Sequence, residues 1–110
     1  MSSSPYKLCF SEEAIRDLQD KSLYIFSISG DLHIAVQWEN RLRQKIRHTI
    51  PVFPHKFPVY GEYNNVAVRF LPYRNDVVFY ICDDTSRTVT IIAIATAGQE
   101  FQNLLRSRSN

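Results

Sequence analysis

The 110-residue chain has few cysteines, little net charge, no long apolar run and no repeated segment. Its two cysteines, Cys9 and Cys82, both fall in strand-forming segments. A reduced cysteine packs there as a small hydrophobe, with one disulfide between the two as the lesser alternative. Thirteen basic and 11 acidic side chains leave a formal charge of +2. That balance is too small to argue by itself for a nucleic-acid or membrane partner, so the placement of charge matters more than its total. No apolar stretch nears the roughly 20 residues that a bilayer-spanning helix needs, and the opening MSSSPYKLCF has no secretory apolar core. A cytoplasmic protein without a membrane partner is expected. A 45% hydrophobic content can fill one core, so residues 1–110 are read as a single domain, with 1–5 and 106–110 flexible.

The order of elements follows from periodicity and punctuation. Residues 6–10 alternate as a short strand. Ser11 then offers a helix N-cap, with Glu12 and Glu13 in the first turn. Ala14, Leu18, Ser22 and Ile25 recur at helical spacing, and Gly30 can adopt the left-handed conformation that closes a helix. Asp31 caps a second helix whose apolar stripe is Ala35, Trp38, Leu42, Ile46 and Ile50, ended by Pro51 and Pro54. So short a turn between the helices implies an antiparallel hairpin. Residues 52–65, with Pro54, Pro58 and Gly61 and no sustained period, read as an ordered loop. Residues 65–71, 76–82 and 88–96 then form strands separated by the turn signals PYRN and DDTS, a three-stranded antiparallel meander. The residues after Phe101 open as a helical turn that frays into RSRSN. The fold class is α+β, with the hairpin on one face of a sheet of about four strands.

These residues, in this order, resemble the RelE/ParE superfamily of bacterial type II toxins. The resemblance rests on FSEEAIRDL, on Ala35 and Leu42, on Phe53 and Pro54, on Gly61, and on VRFLPYRNDVVFYICDD and TVTIIAIATAG. It implies a growth-inhibiting toxin that forms a hetero-oligomer with a cognate antitoxin and needs no cofactor or metal. The superfamily divides into gyrase poisons and ribosome-dependent mRNA endonucleases. In the second branch an arginine placed like Arg69 would neutralise the scissile phosphate. Cleavage also needs proton-transfer groups. Where those nucleases commonly carry His, Tyr or Arg, this chain reads Ala95, Thr96, Ala97, Gly98, Gln99 and Glu100. The resemblance therefore points to the ParE-like branch and DNA gyrase. An mRNA endonuclease acting on the ribosome, and a toxin-like interaction module without toxicity, are the alternatives.

If the chain is a nuclease, Arg69 acts with His55, Lys56 or Tyr80; His48 is a further proton donor or acceptor by type, and His33 is expected exposed and inert. Each has a plain structural counterpart: a helix C-terminal residue for His48, solvated loop residues for His55 and Lys56, a core tyrosine for Tyr80. Arg41, Lys45 and His48 form one helical stripe and Arg43 and Arg47 another, either a solvated helix face or a surface for a partner or nucleic acid. Arg74, at a hairpin tip, either extends the same basic face as Arg69 or solubilises the turn. Arg69 interrupts a run of strand formers. Alternation sets it opposite Val66, Val68 and Phe70, and it is expected on the sheet face away from the helices. There it is either paired structurally, with Glu62, Asp76 or an aromatic ring, or left for an anion or the antitoxin.

Overall fold

The computed structural model describes residues 4–97. A short strand β1 (Lys7–Phe10) leads into α1 (Glu12–Ser29) and α2 (Leu32–Thr49), followed by β2 (Val59–Tyr63), β3 (Val66–Tyr73), β4 (Asp76–Asp83) and β5 (Thr88–Thr96). The five strands form one sheet in the order β1-β5-β4-β3-β2, with β1 parallel to β5 and the other neighbours antiparallel. The helical hairpin lies on one face.

Local chemistry explains the joints. The Ser11 hydroxyl accepts the Ala14 amide at 3.1 Å, and Asp31 Oδ1 accepts the His33 amide at 2.9 Å, so each helix begins on a side-chain cap. Gly30, at φ 69°, donates its N–H to the Phe26 carbonyl and closes α1. Helix α2 stops one residue before Ile50 and two before Pro51, as a proline with no N–H and a clash against the preceding turn requires.

Two expectations need correction. The segment 52–65 is not all loop, because residues 59–63 form the edge strand β2. Its residues are mostly exposed, it contains Gly61, and its register against β3 shifts between Val59 and Gly61. An edge strand with an irregular register shows no alternation in sequence, and a proline just before it costs no ladder bond. The sheet thus has five strands rather than about four, and its meander has four. Asn64 and Asn65, at φ 51° and 66°, form the two-residue turn into β3, so that strand starts at Val66. It also runs on through Pro72 to Tyr73, which pairs with Asp76.

The core between hairpin and sheet contains Ala14 and Leu18 of α1, Leu42 and Ile46 of α2, Ile50, and Leu71, Val78, Tyr80, Val89, Ile91 and Ile94 of the sheet. Each large aliphatic side chain buried there contributes about 1.5–3 kcal/mol. The opposite face carries a second cluster of Val68, Phe79, Ile92, Ala93 and Ala95. Ile92 and Ala93 both face that way because the β4–β5 register skips a residue between the pairs Phe79–Ala93 and Tyr80–Ile91. The outer half of the hairpin reaches past the core, leaving Leu23, Tyr24, Phe26, Ile28, Leu32, Ile34 and Val36 exposed.

One buried carboxylate ties the layers together. Asp76, at the start of β4, is 4% exposed. Its Oδ2 accepts the Trp38 indole N–H of α2 at 2.7 Å, and its Oδ1 lies 3.2 Å from the Lys21 ammonium of α1. Lys21 also donates to Thr96 of β5 at 3.0 Å. Oδ1 receives no hydrogen bond of good geometry, so the ion pair alone compensates its burial. Lys21→Met is expected to destabilise the fold by about 2–4 kcal/mol and Trp38→Phe by about 1–2 kcal/mol, read from urea unfolding. A Lys21→Met change under about 0.5 kcal/mol would show that water, not Lys21, balances Asp76.

Candidate functional site

Residues 51–58 link α2 to the edge strand, and three anchors fix their path. The Tyr6 amide donates to the Pro51 carbonyl at 2.8 Å. The Tyr80 hydroxyl donates to the Pro54 carbonyl at 2.7 Å. Arg69 donates from Nη1 to the Phe57 carbonyl at 2.6 Å and to the His55 carbonyl at 3.3 Å. Carbonyls in an irregular segment lack ladder partners, and a guanidinium can serve two of them at once.

This geometry corrects the expected placement of Arg69. It pairs with Tyr80 across β3 and β4, and it shares its side of β3 with Leu71. Both neighbours belong to the core under the helices, so Arg69 lies on the helix-facing side of the sheet. The alternation holds but the expected face does not, because Val68 and Phe70 are apolar enough to pass for core residues and instead join the second cluster. Its guanidinium donates to backbone carbonyls, not to Glu62, Asp76 or a ring.

The anchored loop presents His55 to a cluster that unites distant parts of the chain. Asp84, in the turn after β4, accepts at one oxygen the Tyr6 hydroxyl at 2.7 Å, the His55 Nε2 at 2.8 Å and the Cys82 thiol at 3.4 Å. Tyr6 lies edge-on to His55, with the Arg87 guanidinium 4.4 Å from its ring centre. The hydrogen bonds from Tyr6 and then His55 hold the Asp84 carboxyl below its ordinary range, and the same bond raises the Tyr6 phenol. Burial, then the hydrogen bond to Asp84, pushes the Cys82 thiol up to about 11. Burial likewise pushes Tyr80 up to about 12, so its phenol stays protonated at neutral pH and serves as a loop anchor.

The residues singled out in the sequence thus separate. His55, Arg69 and Tyr80 meet at the anchored loop. Lys56 is exposed beside them, its ammonium 5.7 Å from the Phe53 ring centre and 5.9 Å from that of Phe57. The basic residues gather elsewhere. Arg41, Lys45 and His48 of α2 line a cleft of about 290 Å³ with Tyr73. Lys45 and Arg74 both approach the Tyr73 ring, at 5.8 and 5.5 Å. Tyr73 and Cys82 stand near opposite ends of the β3–β4 pair, so Arg69 does not extend this basic surface. Arg43 instead pairs with Glu39 at 2.9 Å, and His33 is exposed beside Gln37. Both cysteines are unbridged, and Cys82 belongs to a polar cluster rather than packing only as a hydrophobe. Tyr6 and Asp84 were missed because their partners lie 78 and 29 residues away and no local motif marks them. Gly98, Gln99, Glu100 and the helical turn expected after Phe101 lie outside the described residues. No described helix is long and apolar enough to cross a membrane.

No protein-family model matches the sequence, and no curated protein matches it. Solved structures do. A chain of the chromosomal ParDE toxin–antitoxin system from P. aeruginosa superposes with a TM-score of 0.67 at 14% identity, covering 86% of this chain and 98% of that one. A chain of the RelBE2 toxin–antitoxin complex from Mycobacterium tuberculosis gives 0.57 at 17% identity, covering 89% and 98%. The archaeal RelE–RelB complex from Pyrococcus horikoshii OT3 gives 0.50 at 14%, covering 88% and 100%. Identities this low carry the fold and not the activity. The fold is the one found in ParDE and RelBE structures, in line with the resemblance read from the sequence.

The cluster chemistry predicts a reactivity. With a pKa of about 11, roughly one Cys82 thiol in a thousand is ionised at pH 8. Iodoacetamide labelling of metal-free protein should therefore be slow and still rising above pH 9. Asp84→Asn removes the charge and changes the acceptor beside the thiol, so labelling should speed up severalfold. An unchanged rate would mean that burial alone sets the thiol's acidity.

Proposed function

We propose that this chain is the toxin of a type II toxin–antitoxin pair, a ParE-like member of the RelE/ParE superfamily that acts in the cytoplasm on DNA gyrase. The observation that carries the gyrase reading is the state of Arg69. Its guanidinium is engaged by two loop carbonyls on the helix-facing side of the sheet, a structural posture rather than that of a cation waiting for a phosphate. The end of β5, with Ala95 and Thr96, and Ala97 just after it offer no group suited to proton transfer. The higher TM-score against the ParDE chain than against RelBE2 points the same way.

A cognate antitoxin is the partner that the surface favours. Seven large apolar side chains between Leu23 and Val36 are exposed on the outer hairpin, a concentration that favours association if left uncovered. The basic cleft of Arg41, Lys45 and His48 beside Tyr73, with Arg74 against the same ring, offers a second contact, suited to an acidic segment or to gyrase-bound DNA. Both features support the reading of a chain that an antitoxin covers.

One observation favours the endonuclease reading. His55 against Asp84, with Tyr6 on the same oxygen, is an arrangement that can hold or move a proton. In that case His55 would be the general acid or base on a translated mRNA, with Lys56 beside it.

Induction of the chain without its partner is expected to arrest growth and to raise gyrase-dependent DNA breaks. His55→Ala should leave both intact, whereas Arg41→Glu with Lys45→Glu should weaken them at least tenfold. Arrest without DNA breaks, abolished by His55→Ala and accompanied by cleavage of translated mRNA, would select the endonuclease. No arrest at all would contradict the toxin reading. Leu23→Asp with Ile28→Asp, both at exposed positions, should cost the chain its co-purification with the adjacent gene's product without unfolding it.

A further inference from the structure

We propose that His55, Cys82 and Asp84 form a binding site for one transition-metal ion, with zinc as the ion that their donors fit best. The ligand-bearing atoms of the three side chains all lie within 4.8 Å of one another. His55 Nε2 lies 2.8 Å from Asp84 Oδ1, and Cys82 Sγ lies 3.4 Å from the same oxygen. Tetrahedral zinc, with bonds of about 2.0–2.3 Å, holds its ligand atoms roughly 3.3–3.8 Å apart. Small rotamer adjustments in two exposed side chains bring the set into that range, because His55 and Asp84 are more than half exposed.

The donor chemistry is selective. A thiolate, an imidazole and a carboxylate exclude calcium and magnesium, which take oxygen ligands, and suit zinc or cobalt. Two anionic ligands neutralise a divalent ion. Three protein ligands leave a fourth position open on the solvent side, within reach of a water or of the Tyr6 phenol, which already touches the ligating oxygen of Asp84.

The site is also built in advance. Cys82 and Asp84 stand two residues apart at the end of β4, where the turn is set by Asp83 accepting the Thr85 and Ser86 amides. His55 comes from a loop held by Arg69 and Tyr80. A plain surface ion pair between His55 and Asp84 would need neither the thiol nor an anchored loop. This site does not depend on the toxin reading. It competes with a proton-transfer role, since an Nε2 bound to a metal cannot also carry a proton.

The test uses the full-length, reduced, metal-free chain. Zinc added under equilibrium dialysis is expected to bind at one ion per chain. Cobalt(II) should produce a thiolate-to-metal charge-transfer band that Cys82→Ser abolishes and Cys9→Ser retains. His55→Ala and Asp84→Asn should each weaken zinc binding at least tenfold, with circular dichroism confirming the fold. In the unsubstituted chain, zinc should slow alkylation of Cys82 at least tenfold and leave Cys9 unaffected, a readout independent of any variant. No charge-transfer band, equal zinc binding by Cys82→Ser and the parent chain, or alkylation of Cys82 indifferent to zinc would each overturn the site.

Discussion

Two carbonyls from an irregular loop, those of His55 and Phe57, meet one guanidinium, and the course of the loop that carries His55 depends on that meeting. A charge-assisted hydrogen bond contributes on the order of 1.5–3 kcal/mol, and here it acts on a segment with few backbone partners of its own. Arg69 is presented by β3, whose register against β4 is continuous from Val68 to Tyr73. The rigid sheet thereby dictates where the loop runs. Tyr80, its cross-strand neighbour, fixes the same loop one turn earlier through the Pro54 carbonyl. His55 sits between these anchors, so its position beside Asp84 is inherited from strand pairing rather than from the loop's own preferences. Rigid elements position such groups better than loops can alone.

The sheet separates two chemistries. At one end of the β3–β4 pair, Tyr73 gathers cations from α2 and from the hairpin tip. At the other, Asp84 gathers a phenol, an imidazole and a thiol. At the Tyr73 end the buried Asp76 also couples both helices to the sheet through Trp38 and Lys21. The cleft beside Asp76, about 420 Å³, is larger than the one at Tyr73, but two of its three acids have structural work: Asp17 accepts the Ile94 amide and Asp76 holds Trp38 and Lys21. The apolar outer hairpin makes a third region, suited to a protein partner.

Much of the fold was legible because its signals are local. Ser11, Gly30, Asp31 and Pro51 mark helix ends by capping and sterics, and the stripe Ala35, Leu42, Ile46 and Ile50 is buried as its spacing implied. Strand β2 was illegible because an exposed edge strand with a register shift has no period to read. The side on which Arg69 lies was illegible for a related reason. Both faces of this sheet are apolar, so alternation assigns residues to two faces without saying which one the helices cover. The cluster around Asp84 could not be read at all, since it depends on contacts across 29 and 78 residues. Arg69 itself stands out in the sequence as a cation among strand formers. Its loop-anchoring role required the course of residues 51–58.

Arg69 is an architectural residue whose guanidinium holds the loop carrying His55. Native-state hydrogen exchange on Arg69→Met measures this most directly. The amides of Phe53 and Lys56, bonded to the Thr49 and Phe53 carbonyls, should exchange at least about tenfold faster than in the parent chain, while core amides of β4 and β5 keep their protection. Loop amides exchanging at the parent rate in Arg69→Met would contradict the account.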